Sequence, residues 1–412
     1  MRQASAQKIM NTSRWVRLPV FYACAFVQGI CLILLPASSF LFKSAAHHGL
    51  TDQQYGNLFL PMILSASAAT LAFAALDIRW GKRRLFRAGF VSNLLFLLLS
   101  GAAFFTEKSN GLTFGLLFGA NFFLGLGFGL FVTVLNVLTV AYFPEKRDTV
   151  LTGLHSFLGI GAAAAPVMVE NALRYSSWLA AVAAALGILL FSGAASWFTH
   201  ASTPPESAAE GETPLSMGPV PAGGMLFLVT VFIYGIIESL IGNWSVIFLN
   251  QDRGFSIETA SLALSFFWLF MTVGRILATL VSVQLDARHL YRFSPVVIFA
   301  GLLGLVLNDK ETLAVAIAMT VGFGCSYFFP LSISLSTQYF DAWRERLAAY
   351  AVTALMLGVG VGSSLTGVLR DRGVMTLGQI FGTSLLCAGA IGVLAWKLTI
   401  KPPHAAAENR EA

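Results

Sequence analysis

Twelve apolar runs, most of them near or above twenty residues, leave this 412-residue chain few ways to fold. They cover 18–42, 55–76, 85–105, 111–142, 150–172, 176–198, 223–249, 259–283, 293–308, 312–340, 347–369 and 374–396. Crossing about 30 Å of hydrocarbon takes roughly 20 apolar residues in a helix, so the runs read as membrane spans, the 16-residue ninth being the shortest. Composition agrees: 56% of residues are hydrophobic and 11% charged, where a soluble domain carries about 25% charged residues. The chain therefore reads as an all-α membrane protein with twelve transmembrane helices.

The first run follows a basic tail (Arg2, Lys8, Arg14, Arg17) and is too long for a signal h-region, so no cleaved leader is expected. With the N-terminus in the cytoplasm, eighteen of the 26 Lys and Arg fall on the cytoplasmic side and seven (Lys43, Lys108, Arg174, Arg253, Lys310, Arg370, Arg372) opposite, Arg275 lying inside the eighth run. That asymmetry places both termini in the cytoplasm of a cell (inner) membrane protein. It also accounts for the net charge of +6 and the cluster RWGKRRLFR (Arg79 to Arg87) without any nucleic acid. Cys24, Cys31, Cys325 and Cys387 sit in apolar runs with no paired spacing and no His cluster, so neither a disulfide framework, a metal site nor a cofactor is implied. His155 stands alone near the start of the fifth run, without an acid or nucleophile in its neighbourhood, and no enzyme is indicated.

The longest polar stretch, 199–222, is rich in proline and glutamate and divides six runs from six. The expected organisation is a tail (1–17), a six-helix bundle (18–198), a linker (199–222), a second six-helix bundle (223–397) and a tail (398–412). Three short motifs recur across the halves: LDxR at Leu76–Arg79 and Leu285–Arg288, YF at Tyr142–Phe143 and Tyr339–Phe340, and LGxG at Leu158–Gly161 and Leu357–Gly360. Their offsets of 209, 197 and 199 residues point to a duplicated six-helix unit. The glycine motifs follow no strand, which disfavours a dinucleotide loop and favours close helix packing.

One carboxylate lies deep in a run: Glu238, within LFLVTVFIYGIIESLIGNWSVIFL (Leu226 to Leu249). A charged side chain there costs roughly 2.5–3.5 kcal/mol on insertion scales and usually marks a polar path. The competing reading is a protonated Glu that only hydrogen-bonds neighbouring helices. Glu170, the nearest rival, lies close to the outer end of the fifth run.

The 6 + 6 plan, the loop DIRWGKRR after the second run, and the segments GLGFGLFVTVLN (Gly125 to Asn136), HSFLGIGAAAAP (His155 to Pro166), ESLIGNW (Glu238 to Trp244) and FWLFMTVGR (Phe267 to Arg275) together resemble the major facilitator superfamily, near its fucose-permease-like branch of sugar:proton symporters. The likeness spans Leu18 to Lys397. The loop departs from the family's D-R-x-G-R-R pattern in having Phe73 where a glycine is usual and one extra residue between Asp77 and Gly81. The resemblance implies two six-helix bundles, alternating access and a solute cavity lined by helices 1, 4, 7 and 10. On those helices stand Gln28, Asn121, Tyr234, Glu238, Asn243, Trp244, Ser326, Tyr327 and Gln338 as candidate substrate contacts. Aromatic rings and hydrogen-bonding groups with little fixed charge suit a small neutral solute such as a sugar; Trp244 and Tyr339 also suit an interfacial belt. A larger amphipathic compound, such as a drug or siderophore, is the alternative cargo, and a sensor or assembly subunit the alternative class. The branch's fourth-helix carboxylate is absent, Val132 standing there, which makes Glu238 the candidate proton carrier. Helix 5 lacks the glycine-proline-glycine-glycine pattern of drug exporters, which implies uptake. Close contacts among helices 2, 5, 8 and 11 are expected where two halves rock. A cytoplasmic latch of the outward-facing state is expected from Asp77, Arg79, Arg83, Glu145, Arg147, Asp286, Arg288, Asp341 and Arg344, with Arg275 deeper in the eighth helix and able to reach a loop or Glu238. A monomer is expected, with a small solute, protons and the lipid bilayer as its partners.

Overall fold

A computed structural model describes residues 2–199, 219–281 and 285–400, without the side chains of 2–14, 279, 281 and 345. The linker residues 200–218 and the tail from 401 lie outside the described residues, as do the side chains of most of the N-terminal tail. Among the described residues there is no strand. In hydrocarbon a spanning segment must satisfy its own backbone, and a helix does so without a partner.

Twelve helices are long and apolar enough to span: α1 (Trp15–Lys43), α2 (Asp52–Trp80), α3 (Lys82–Phe104), α4 (Asn110–Tyr142), α5 (Pro144–Tyr175), α6 (Trp178–Phe198), α7 (Ala222–Asp252), α8 (Ile257–Ala278), α9 (Ala287–Leu307), α10 (Glu311–Tyr339), α11 (Arg346–Asp371) and α12 (Leu377–Ile400). The count matches the sequence reading. The short ninth run gains its length by taking in Arg288, His289 and Arg292, which hydropathy alone excludes. Local signals set several boundaries. Thr51 and Gln54 form a reciprocal capping box before α2, Thr376 and Gln379 do the same before α12, and Gly81 at φ 75° turns the chain from α2 into α3.

The chain divides into two compact units, 1–35 with 64–214 and 36–63 with 215–412. The segment 36–63, which the sequence reading places in the first six-helix bundle, packs with the second unit. The reason is specific contact. Gly56 approaches Ser363 and Gly367 so closely that an added Cβ would lie 2.5 Å from the Ser363 carbonyl oxygen, and Tyr55 Oη donates to the Asn243 carbonyl at 2.8 Å.

Within each unit the same helix pair crosses on reciprocal glycines. In the first, a Cβ on Gly29 of α1 would sit 1.9 Å from the Leu158 carbonyl oxygen, and one on Gly161 of α5 would sit 1.9 Å from that of Phe26. In the second, a Cβ on Gly235 of α7 would lie 2.5 Å from the Leu355 carbonyl oxygen, and one on Gly358 of α11 2.1 Å from that of Phe232. The duplicated LGxG motif therefore joins α5 to α1 and α11 to α7 inside its own half. Of the contacts expected among helices 2, 5, 8 and 11, that of α11 with α2 is present, Gly360 lying against Leu60 and Ile63. The repeat extends to α4 on α2 (Gly129 on Ala66) and α10 on α8 (Gly322 on Phe267). Phe21, Phe86, Phe131, Leu135 and Leu154 form the buried centre of the first unit.

Candidate functional site

The second unit gathers its polar groups around a break in α10. The helix runs regularly to Ser326, interrupts at Tyr327 (φ −111°, ψ −5°) and resumes at Phe328. Pro330 has no N–H to return to the carbonyl four residues earlier, that of Ser326, so this oxygen needs another donor. Arg275 of α8 supplies it, Nε to the Ser326 carbonyl at 3.1 Å. The neighbouring carbonyls are served from two other helices: Tyr234 Oη of α7 donates to Cys325 at 3.0 Å, and Ser294 Oγ of α9 donates to Gly324 at 2.7 Å. Unwound backbone is thus held by side chains from α7, α8 and α9 around one point.

Glu238 stands one turn after Tyr234 on α7, largely buried but not sealed off. The Tyr234 hydroxyl and, as the nearby opposite charge, the Arg275 guanidinium are its polar neighbours. The structure therefore brings together Glu238, Tyr234, Arg275 and Ser326 from the sequence-derived set, and adds Cys325 and Ser294. Tyr327 is buried beside them, its ring edge-on to Phe323. Gln338 lies apart, exposed, with its amide on Ser334 Oγ.

Directly after Glu238, α7 widens into π turns at Leu240–Trp244 and Phe248–Asp252. Such turns insert an extra residue and reorient the side chains that follow. Asn243 donates to Ser363 Oγ of α11 at 2.6 Å, and Trp244 is fully buried with its ring edge-on to Tyr55 at 5.1 Å. Full burial excludes the interfacial-belt reading of Trp244. Its indole N–H has no partner, nor has that of Trp268 on α8, whose ring lies beside Gly242. Both nitrogens are buried, and a buried donor without a partner is costly unless a bound group satisfies it. Trp268 escaped the sequence reading because α8 is not among the helices the resemblance assigns to a cavity.

Gln28 and Asn121 belong to the first unit. Asn93 Nδ2 of α3 donates to Gln28 Oε1 at 2.7 Å, and Gly127 of α4 leaves the room for Asn93. Asn121 donates to its own helix, at the Leu117 carbonyl. Gln28 Nε2 and Asn93 Oδ1 remain unpartnered. Asn93 went unnoticed because a single amide in an apolar run has no period.

Around 36–63 lies a charge cluster that the loop motifs did not announce. Asp52 pairs with Lys43 and, at 3.0 Å, with Arg370 of α11, whose other terminal nitrogen reaches Asp252 of α7 at 2.9 Å. Asn57 accepts from Ser364 Oγ at 2.5 Å.

The proposed cytoplasmic gating charges pair locally. Asp77 meets Lys82 at 2.7 Å rather than Arg79, because Arg79, two residues on, points to the other side of α2 while the turn at Gly81 folds Lys82 back. Asp286 caps α9 and binds the Arg288 side chain and N–H, which holds its carboxyl below the usual carboxylate range. Asp341 pairs with Arg344, and Arg147 approaches Asp148 at 3.9 Å. Arg79 and Arg83 are exposed, and Glu145 is exposed in the turn before Arg147.

The sequence matches the Major Facilitator Superfamily over residues 21–307 and 226–412. It is 23% identical over 292 residues to the glucose/mannose transporter GlcP of Bacillus subtilis (strain 168), covering 66% of this chain and 70% of that one. It is 26% identical over 179 residues to the major facilitator superfamily domain-containing protein 4A of Xenopus tropicalis, covering 42% of this chain and 34% of that one. The fold is similar to that of a bacterial homolog of the human lysosomal transporter Spinster, crystallised in an inward-facing and occupied conformation, with a TM-score of 0.70 at 11% identity, covering 93% of this chain and 96% of that one.

Proposed function

The chain belongs to the major facilitator superfamily of transporters, and from that premise we propose that it takes up a small, polar, uncharged, sugar-like solute across the cell membrane, with both termini in the cytoplasm, by proton-coupled alternating access. The observation that carries this reading is the cluster of Glu238, Tyr234 and Arg275 at the broken α10. A carboxylate in an apolar span, flanked by a hydroxyl and a counter-charge, is a group that can gain and lose a proton as access changes. The open indole donors of Trp244 and Trp268 supply hydrogen bonds and stacking faces for a neutral polyhydroxylated ligand. A weak relative named as a glucose/mannose transporter supports the same substrate class.

In this reading Glu238 carries the proton, and Tyr234, Asn243, Trp244, Ser326 and Tyr327 contact solute within the second half. The local cytoplasmic pairs of Asp77, Asp286 and Asp341 exchange partners when that end closes. Glu238→Gln keeps the shape and removes the titration. The variant should lose accumulation of solute against a gradient while retaining counterflow exchange in proteoliposomes. Accumulation under an imposed pH gradient equal to that of the parent would reduce Glu238 to a packing group.

A further inference from the structure

At the linker-side ends of α3 and α6, Arg83 and Arg87 lie over the same indole, with Cζ 5.7 and 4.9 Å from the Trp197 ring centre. The duplication repeats the motif. Arg292 of α9 lies 4.7 Å from the ring of Trp396 on α12, its Nε held by Thr399 Oγ1 at 2.6 Å. Both indoles are turned outward, Trp197 62% and Trp396 54% exposed, among other exposed apolar side chains (Phe198, Phe293, Ile400).

We propose that these two guanidinium-on-indole pairs bind the phosphate of anionic phospholipids at the cytoplasmic rim of each half. Topology requires positive charge there, and Lys82, Arg84 and the exposed Arg79 already meet that need. It does not require guanidinium groups to lie over outward-turned tryptophans. An arginine stacked by its face keeps its in-plane N–H groups free for bidentate contact with phosphate oxygens. Tryptophan at the rim sits at headgroup depth, so the free N–H groups are presented at that level, with apolar side chains below for the acyl chains. In the first site, like charges one turn apart on one helix repel, and an anion between them relieves that repulsion. Among the described residues no carboxylate pairs with Arg83, Arg87 or Arg292, whereas Asp77 and Asp286 are committed to Lys82 and Arg288.

The test is native mass spectrometry of the full chain in neutral detergent, titrated with phosphatidylglycerol, with phosphatidylcholine, or with inorganic phosphate alone. Each basic side chain near a membrane surface favours anionic lipid, so phosphatidylglycerol adducts should exceed phosphatidylcholine adducts about fivefold for each arginine of a site. Arg87→Gln and Arg292→Gln should each remove one preferred adduct and the double variant both. Arg87→Lys, which keeps the charge and loses the planar stack, should fall between. Should Arg87→Gln not fold, Trp197→Leu gives the same reading for the first site. Equal retention of the two lipids, or a double variant that keeps its preference, overturns the proposal. Inorganic phosphate that displaces phosphatidylglycerol completely would identify a free-anion site, and so overturn it as well. Preference that depends on the linker glutamates rather than on added lipid, seen on substituting Glu206, Glu210 and Glu212 by Gln, would show the arginines to be internally paired and would equally end it.

Discussion

At Glu238 a carboxylate in an apolar span has two polar neighbours with different roles, a hydroxyl on the same helix and a guanidinium from α8. Arg275 is also tied to backbone by its bond to Ser326. Removing it therefore takes a charge from Glu238 and a donor from an orphaned carbonyl together, and leaving a partner of a buried charge behind is more damaging than removing both. Arg275→Gln is expected to lower thermal stability more than Glu238→Gln does. The double variant should recover part of the loss, with a coupling of about 0.5 kcal/mol or more, as for charges that act on one another within one polar cluster. Strict additivity in the melting cycle would show that Arg275 serves the backbone alone. Of this cluster, the sequence announces Glu238 through hydropathy, since a charge inside twenty apolar residues is conspicuous. Pro330 was equally visible, but its effect depends on which helix supplies a donor to Ser326, and that is a tertiary fact. Asn93 and Trp268 were silent for the same reason: a lone polar atom reveals its role only through the partner it meets or lacks.

The helices themselves were legible because hydropathy and length are read residue by residue, and the duplicated motifs fixed their division into six and six. The partners of 36–63 were not legible, since contact between Tyr55, Asp52 and the α7–α11 pair follows no period. This clasp makes an element-scale prediction. Arg370 holds Asp52 and Asp252 while about four-fifths shielded from solvent, where such pairs are screened less than on an open surface. Small residues at Gly56 and Gly367 allow the helices to close around it. Asp52→Asn or Arg370→Gln should loosen the non-cytoplasmic end. The measurement is labelling, by a membrane-impermeant maleimide, of a cysteine placed at the buried Ser363, which should react several-fold faster in either variant than in the parent. Unchanged protection would mean that the Tyr55–Asn243 contact and the glycine seam hold that end without the charges.

Across the whole molecule the duplication preserves packing and abandons chemistry. The reciprocal glycines and the arginine-on-tryptophan pairs recur in both halves, while Glu238, Arg275 and the broken α10 occur in the second alone and the first offers the amides Gln28 and Asn93 in their place. In the first half, Lys and Arg stand only toward the ends of the spans, and in the second the deep cation Arg275 is bonded to the Ser326 carbonyl and lies near Glu238. Among the described residues no cation deep in the spans other than Arg275 stands ready to balance an anionic solute, and an unpaired charge brought into such a site is strongly disfavoured. A ligand that binds the folded state alone stabilises it by about 2.7 kcal/mol at a hundred times its Kd, which is enough to move a melting curve measurably. In a thermal-shift panel on purified protein, neutral hexoses and polyols should therefore raise the transition. The matching uronates, sugar phosphates and amino acids at equal concentration should leave it in place. The shift should shrink in Trp268→Phe, which keeps the ring and removes the open donor. A response confined to the anionic compounds would mean that Arg275 is released from Glu238 to receive them, and the neutral-solute reading would fall while the membership in the family stood.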